Sequence, residues 1–211
     1  MLYDLHTHTL FGIDHGVQTY EDYLQNLEEY AKNGFDTLVF TPHIYHPTVA
    51  SNIGAIRENF LKATEAAKEK GIRTLLGSEL YLDSQTDVKS IPINGTYALV
   101  EFPPQYEPMA LDRKLKQLQD KGLQVIIAHV ERYKWVKANS VAFDKLYRIG
   151  VYFQSNVSGV EDRSALPYIK NGVIDIIASD NHGDPTLPGR LKRILDSYPY
   201  ILDRMQCFNL E

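Results

Sequence analysis

At 211 residues, 44% of them hydrophobic and 11% aromatic, the chain is long enough to bury one sizeable core, and a single domain over residues 1–211 is expected. Its formal charge of −5 argues against a protein built to coat nucleic acid, because binding a phosphate backbone relies on clustered Lys and Arg. No run of eighteen apolar residues occurs and the first thirty residues carry no signal-peptide pattern, so the expected location is the cytoplasm, without membrane insertion.

The first apolar run, Leu2 to Leu5, ends in His6-Thr7-His8. Side chains alternate faces along a strand, so His6 and His8 project together and are able to share one ion. Taken alone, the pair reads equally well as a buried structural pair. An amphipathic segment follows, with Tyr20, Leu24, Leu27 and Ala31 at helical spacing and Thr19 and Asp22 placed as a capping pair.

From there one junction recurs: Lys32-Asn33-Gly34-Phe35, Lys70-Gly71-Ile72, Lys121-Gly122-Leu123, Ile149-Gly150-Val151 and Asn171-Gly172-Val173. Each reads as a glycine closing a helix and leading into a strand. The strands themselves, Leu38 to Phe40, Arg73 to Leu76, Val125 to Ala128 and Ile174 to Ala178, are mostly continuous apolar runs, as parallel strands covered on both faces are. With Leu2 to Leu5, Tyr97 to Phe102 and Val151 to Phe153 they make seven. Helix and strand alternating through one small domain imply an α/β fold, and seven units suit a closed or distorted barrel better than the alternative, an open doubly wound sheet.

Polar residues recur where the strands end: His6 and His8, His43, Glu79, Glu101, His129, then Asp180 and His182. In a barrel those positions converge on one mouth, which reads as a single metal site. Singly, His43 would pass for a loop histidine, Glu79 and Glu101 for solvated strand ends and Asp180 for a helix cap. Such residues at every strand end in turn are not expected by chance. His15 and His46 fall outside this scheme and read as rim or surface histidines.

Cys207 is the only cysteine, which excludes an intramolecular disulfide and any cysteine-rich metal site, and it is expected as a buried small hydrophobe. Its place near the end of the sequence leaves no room for the phosphate-cradling loop that follows a catalytic cysteine. Asn94-Gly95-Thr96 and Asn156-Val157-Ser158 match the glycosylation sequon and are read as turns.

Several of these segments together, namely His6-Thr7-His8, Thr41-Pro42-His43, Gly77-Ser78-Glu79, Leu99-Val100-Glu101-Phe102, Ile127-Ala128-His129-Val130-Glu131-Arg132-Tyr133 and Ala178-Ser179-Asp180-Asn181-His182, resemble the polymerase-and-histidinol-phosphatase (PHP) superfamily. Glu101 and the Glu131-Arg132-Tyr133 run resemble its capsular-polysaccharide type of bacterial protein-tyrosine phosphatase. The resemblance implies a distorted seven-stranded (β/α) barrel, a PHP-type metallophosphatase domain and a site for three divalent ions, often manganese. It further implies His6, His8 and Asp180 at the first ion, Glu79 as a bridge, Glu101 and His129 at the second, and Asp14, His43 and His182 at the third. The chain departs from the pattern at Asp14-His15-Gly16, where relatives usually carry two aspartates, and is shorter in loops that contact substrate.

The donor types agree independently, since imidazoles mixed with carboxylates and no thiolate suit manganese, iron or zinc. Three divalent ions would bring about six positive charges against Asp14, Glu79, Glu101 and Asp180, leaving an excess of about two for a phosphate dianion. The expected reaction is in-line attack on phosphorus by a metal-activated water, favouring aryl phosphates because a phenolate (parent pKa near ~10) leaves more readily than an alkoxide. Arg132, just past the His129 strand end, is the expected phosphate clamp, with Arg190 the second candidate. The resemblance implies a bacterial tyrosine kinase of capsule or exopolysaccharide synthesis as partner. The other readings are a histidinol-phosphate phosphatase, a metal-dependent exonuclease and a non-catalytic metal-binding scaffold.

Overall fold

In a computed structural model, which describes residues 1–83 and 87–210, strands and helices alternate along the chain. The strands are β1 (Tyr3–Thr7), β2 (Thr37–Phe40), β3 (His43–Ile44), β4 (Arg73–Leu76), β5 (Glu79–Tyr81), β6 (Tyr97–Glu101), β7 (Gln124–Ile127), β8 (Tyr152–Asn156) and β9 (Ile176–Ala178). The helices are α1 (Tyr20–Lys32), α2 (Ile56–Glu69), α3 (Leu111–Gln119), α4 (Val141–Ile149), α5 (Val157–Glu161), α6 (Leu166–Lys170), α7 (Leu187–Ser197) and α8 (Pro199–Met205). All strand pairs are parallel, in two sheets ordered β1-β2-β4 and β3-β5-β6-β7-β8-β9. The α/β class expected from the sequence is therefore the one observed.

The described residues form nine strands where the sequence suggested seven, because a second short strand follows each of the runs that end at Phe40 and Leu76. Thr41-Pro42 separates β2 from β3, and Pro42 has no N–H to give a ladder. Gly77-Ser78 separates β4 from β5 at the same level. Across the break, Gly77 N–H donates to Phe40 O (2.8 Å) and Glu79 N–H to Pro42 O (3.0 Å). At the far side of the second sheet, Thr7 forms a parallel bridge with Asn181, flanked by Asp180 N–H to His6 O (2.9 Å) and His8 N–H to Asn181 O (2.8 Å).

The strands are buried as continuous apolar runs require: Leu38 to Phe40 and Val125 to Ala128 are wholly buried. All five junction glycines have positive φ, the left-handed turn in which a Cβ is costly. Thr19 caps α1 by accepting from Asp22 N–H (3.1 Å). The buried face of α1 is not the expected stripe, however. Tyr23, Asn26, Leu27 and Tyr30 face inward and Leu24 is exposed. The tyrosines turn inward because their hydroxyls find partners there, Tyr23 donating to Ala63 O (2.7 Å) and Tyr30 to the Asp4 carboxylate (2.8 Å).

Cys207 is exposed rather than buried, lying past α8. Asn94 and Gly95 form the expected turn, both at positive φ. Asn156 does not: it is the buried last residue of β8 and runs straight into α5. Among the described residues no helix is long and apolar enough to cross a membrane.

Gly77 lies at the break with no space beside it, since a Cβ there would meet Ile93 Cγ1 at 2.3 Å and Ile93 is fully buried. Gly77→Ala is expected to cost about 1–3 kcal/mol through this overpacking. Urea denaturation reads the effect as a lowered midpoint at unchanged slope, and an unchanged midpoint would show that Ile93 yields freely.

Candidate metal centre

The strand ends deliver the predicted side chains to one place. His6 lies in β1 with His8 just beyond it, His43 and Glu79 open β3 and β5 side by side, Glu101 ends β6, His129 follows β7, and Asp180 and His182 follow β9. Glu79 is at the centre, with Oε2 3.4 Å from His6 Nε2, 3.3 Å from His8 Nε2 and 3.0 Å from His43 Nδ1. Its Oε1 pairs with His129 Nε2 at 2.8 Å. Asp180 Oδ1 lies 3.4 Å from both His6 Nε2 and His8 Nε2, and Glu101 approaches His43 (3.8 Å) and His129 (3.7 Å). Among the described residues three sets of donors lie close enough to hold an ion: His6, His8 and Asp180; His43, Glu79 and Glu101; and His8, His43 and His182.

A ring of hydrogen bonds sets which nitrogen each histidine turns inward. His6 Nδ1–H donates to Gln154 Oε1 (3.2 Å), His8 Nδ1–H to Asp14 Oδ2 (2.7 Å) and His182 Nδ1–H to Asp180 O (2.8 Å). Acceptors outside thus hold the protons on Nδ1 and aim the Nε2 lone pairs inward. His6 Nε2 and His8 Nε2 then face each other at 3.1 Å, two lone pairs that a proton on one ring or a metal ion would reconcile. His43 Nδ1, Glu79 Oε2, Glu101 Oε2 and His182 Nε2 are buried with no hydrogen-bond partner among the described residues. Orphaned donors of this kind, clustered and mixed in chemistry, fit divalent ions.

Charge in the cluster is correspondingly unbalanced. Burial opposes charge on His6, but Glu79 and Asp180 hold its pKa above the ordinary value, and His8 is raised well above it by Asp14, Asp180 and Glu79 against the same burial. Against their own burial, Glu79 and Asp180 are held well below the usual carboxylate range by these imidazoles. Glu101 goes the other way: burial, then repulsion from Glu79 and Asp180, pushes its carboxyl up to about 9. Burial and neighbouring imidazoles pull His46 and His182 down to about 4.

Asp14 occupies a different place from the other predicted ligands. Its Oδ1 accepts from Gly16 N–H (2.9 Å) and its Oδ2 from both His8 Nδ1–H and His43 N–H (3.0 Å), so it stands behind His8 and outside the three donor sets. Its pKa is depressed, for although burial raises it, the bond to His8 outweighs that. Arg132 is half-exposed at the mouth, Nη2 donating to Asp180 Oδ2 (2.8 Å). Arg190 is not brought to the mouth: it is tied to Glu161 (Nε–Oε1 2.9 Å) and Asp184 (3.2 Å). His15 and His46 are rim residues, His15 stacked on His43 at 5.0 Å and His46 Nε2 3.6 Å from Glu101. Together these groups line an open cavity of about 640 Å³ over the cluster.

Gln154 and Asn156 went unrecognised in the sequence. Gln154 Oε1 accepts from His6 and from His129 N–H (2.9 Å), and Asn156 Nδ2 donates to Asp180 Oδ2 (2.8 Å). The signal was available: β8 continues past Phe153 with polar residues two apart, Gln154 and Asn156, on one face. Asp4 was also missed; wholly buried, it accepts from Tyr30 and from Ser179 N–H (3.0 Å) and so anchors the segment that carries Asp180. His129 and Asp180 both sit at positive φ, a region uncommon for non-glycine residues but one that His and Asp enter more readily than most.

A profile described as "Capsular polysaccharide synthesis, CpsB/CapC" matches residues 2–205. The chain is similar to the tyrosine-protein phosphatase CpsB of Streptococcus pneumoniae, 27% identical over 213 residues that span 92% of this chain and 88% of the relative. It is equally similar to the putative tyrosine-protein phosphatase CapC of Staphylococcus aureus, 27% identical over 208 residues, 92% of this chain and 82% of the relative. Among solved structures, one described with the crystal structures of YwqE from Bacillus subtilis and CpsB from Streptococcus pneumoniae, "unique metal-dependent tyrosine phosphatases", superposes with a TM-score of 0.80. It covers 99% of this chain and 89% of that one at 23% identity, a likeness of fold.

The raised Glu101 carboxyl generates a pH-dependent prediction for chelator-treated protein. Below its ordinary value of 4.5 the group is protonated folded or unfolded and contributes nothing; above it the unfolded chain ionises first, so Glu101 lowers stability progressively until pH about 9. Glu101→Gln is therefore expected to stabilise the chelated protein at pH 8, on the order of a few kcal/mol, and to have no effect near pH 4. Urea midpoints at the two pH values check it, and equal effects at both would sink the assignment.

Proposed function

This chain belongs to the capsular polysaccharide synthesis CpsB/CapC family, and on that premise we propose that it is a metal-dependent phosphatase acting on phosphotyrosine in proteins. The observation that carries the reading is the meeting of His6, His8 and His43 nitrogens around the buried Glu79 carboxylate, under an open cavity with a half-exposed guanidinium at its edge. We read β2 with β3, and β4 with β5, as interrupted strands of one distorted seven-stranded barrel, and residues 1–211 as a single PHP-type domain.

His6, His8, His43, Glu79, Glu101, His129, Asp180 and His182 would hold the ions, three in number and manganese foremost, with iron or zinc as alternatives. Asp14 completes the set by fixing His8 and the His43 backbone through Oδ2. Bound divalent ions supply Lewis acidity, which generates a nucleophile from water at neutral pH and screens the charge on phosphoryl oxygens. The residues do the rest. Among the described residues Arg132 spends only Nη2, on Asp180, so the remaining donors of its fork are available to a phosphate oxygen. A tyrosine phenolate leaves with little protonation, which removes the demand for a strong general acid. Arg190 has no part in this reading. We assign the substrate to a tyrosine-phosphorylated protein of the cytoplasm, a bacterial tyrosine kinase of capsule synthesis being the partner that the family implies.

The first test compares hydrolysis of a phosphotyrosine peptide and of histidinol phosphate, with manganese and with chelator. Manganese-dependent turnover favouring the peptide and lost in His6→Ala is the expected result. Preference for histidinol phosphate would keep the site but replace the substrate, while ion binding with no turnover of either would leave a metal-binding scaffold. In the same assay Arg132→Ala is expected to lower kcat/KM for an aryl phosphate about 10²-fold, and an unchanged value would remove Arg132 from the phosphate site.

A further inference from the structure

Beside the reaction cavity lies a second cavity of about 340 Å³ with walls of opposite chemistry. Ile44, Tyr45, Val49, Ile53 and Ile91 make up the apolar majority of its lining, with Lys89 the one charged residue there among the described residues, where the first is lined by imidazoles, carboxylates and Arg132. The two adjoin, for His46 and Val49 belong to the lining of both.

Two features set this annex apart from an ordinary surface hollow. Tyr45 and Ile53 are 49% and 52% exposed, large apolar groups left in solvent beside a polar site. Tyr45 also has φ of 60°, a left-handed backbone that a bulky residue adopts only when its surroundings impose it. Those surroundings are fixed to the metal centre. Ser51 Oγ donates to His43 O (2.7 Å), Asn52 N–H to Ile13 O (2.7 Å), and Ile91 N–H to the Oγ of Ser78, the residue before Glu79 (2.8 Å). Ser90 Oγ, buried and without a partner among the described residues, adds a polar group to the lining.

We propose that the annex is a specificity subsite that takes a large apolar or aromatic side chain standing within a few residues of the phosphotyrosine in a peptide substrate. The proposal rests on the phosphotyrosine reading above and adds what that reading lacks, a reason for the enzyme to prefer a peptide. A phosphate seated over the cluster leaves the neighbouring side chain at the His46–Val49 border, where apolar walls already stand open. A small phosphomonoester such as histidinol phosphate has no second group to place there. The walls are preformed, so filling them requires no ordering of the protein.

The test measures kcat/KM for phosphotyrosine peptides in which Leu or Tyr replaces Ala at each position up to about three residues either side, with p-nitrophenyl phosphate as a substrate lacking any flank. In the wild-type chain one position is expected to gain about tenfold from the apolar residue, the scale of a side chain entering an apolar pocket. In Ile53→Ser the gain at that position should fall below about twofold. Tyr45→Gly, which relieves the backbone strain and removes the ring, should reduce it likewise, and urea midpoints show that both variants are folded. Absence of any positional gain in the wild type, or a gain that survives in both variants, would overturn the subsite. Failure to hydrolyse p-nitrophenyl phosphate at all would instead overturn the phosphatase reading and take the subsite with it.

Discussion

The structure is organised around one electrostatic constraint: the Glu79 carboxylate is 1% exposed and is met by four imidazoles, two of which turn the same nitrogen toward each other at 3.1 Å. Buried charge on this scale is tolerated only where opposite charge and hydrogen bonds answer it. Among the described residues the answer is incomplete, since protons are drawn onto His6 and His8 while one Glu79 oxygen, one Glu101 oxygen and nitrogens of His43 and His182 make no hydrogen bond. The missing term is positive charge, which divalent ions would supply in the place of those protons.

The outer ring of hydrogen bonds exists to hold this unfavourable arrangement open. Asp14 takes the outer nitrogen of His8, Gln154 that of His6, and Asn156 and Arg132 share Asp180 Oδ2. Behind them Asp4, Tyr30 and Ser179 form a wholly buried polar junction that ties β1 and α1 to the segment after β9. Each group fixes a ring or a carboxylate in one orientation, which is how a site of flexible parts is made rigid enough for chemistry. The positive φ of His129 and Asp180, two of the proposed ligand residues, shows that the backbone also accepts strain to aim its ligands.

What could be read in the sequence follows the same division. Strand-forming apolar runs and closing glycines are local signals, and the polar residues at the ends of those runs mark the site without reference to contacts. Thr41-Pro42 and Gly77-Ser78 mark the ends of two runs in the sequence, yet only pairing to neighbours reveals the short strands β3 and β5 that follow them. The α1 face was misjudged because a hydrophobic count ranks Leu24 above Tyr23 and Tyr30, whereas burial is decided by distant acceptors, Ala63 O and Asp4. Asp4 escaped for the same reason, since it acts through partners 26 and 175 positions away, whereas Gln154 and Asn156 left only the two-residue spacing of polar groups at the end of β8. Arg132 and Arg190 look alike in sequence; their difference is that Glu161 and Asp184 claim the second.

The broken strands have a further consequence for how chemistry and selectivity are arranged. By ending β2 and β4 and restarting them as β3 and β5, the chain places His43 and Glu79 side by side at the cluster while Ile44 and, through Ser78, Ile91 are carried into the apolar annex. A ligand donor and an apolar wall are thus neighbours on the same short strand, His43 beside Ile44. Changes in the loop of residues 45–53 that spare Ser51 can reshape the apolar wall with no ligand moved, because the loop's bonds to His43 O and Ile13 O need only the Ser51 hydroxyl and the Asn52 backbone N–H. A fold built this way holds its reaction constant in the strand ends and leaves the choice of substrate to the loop beside them.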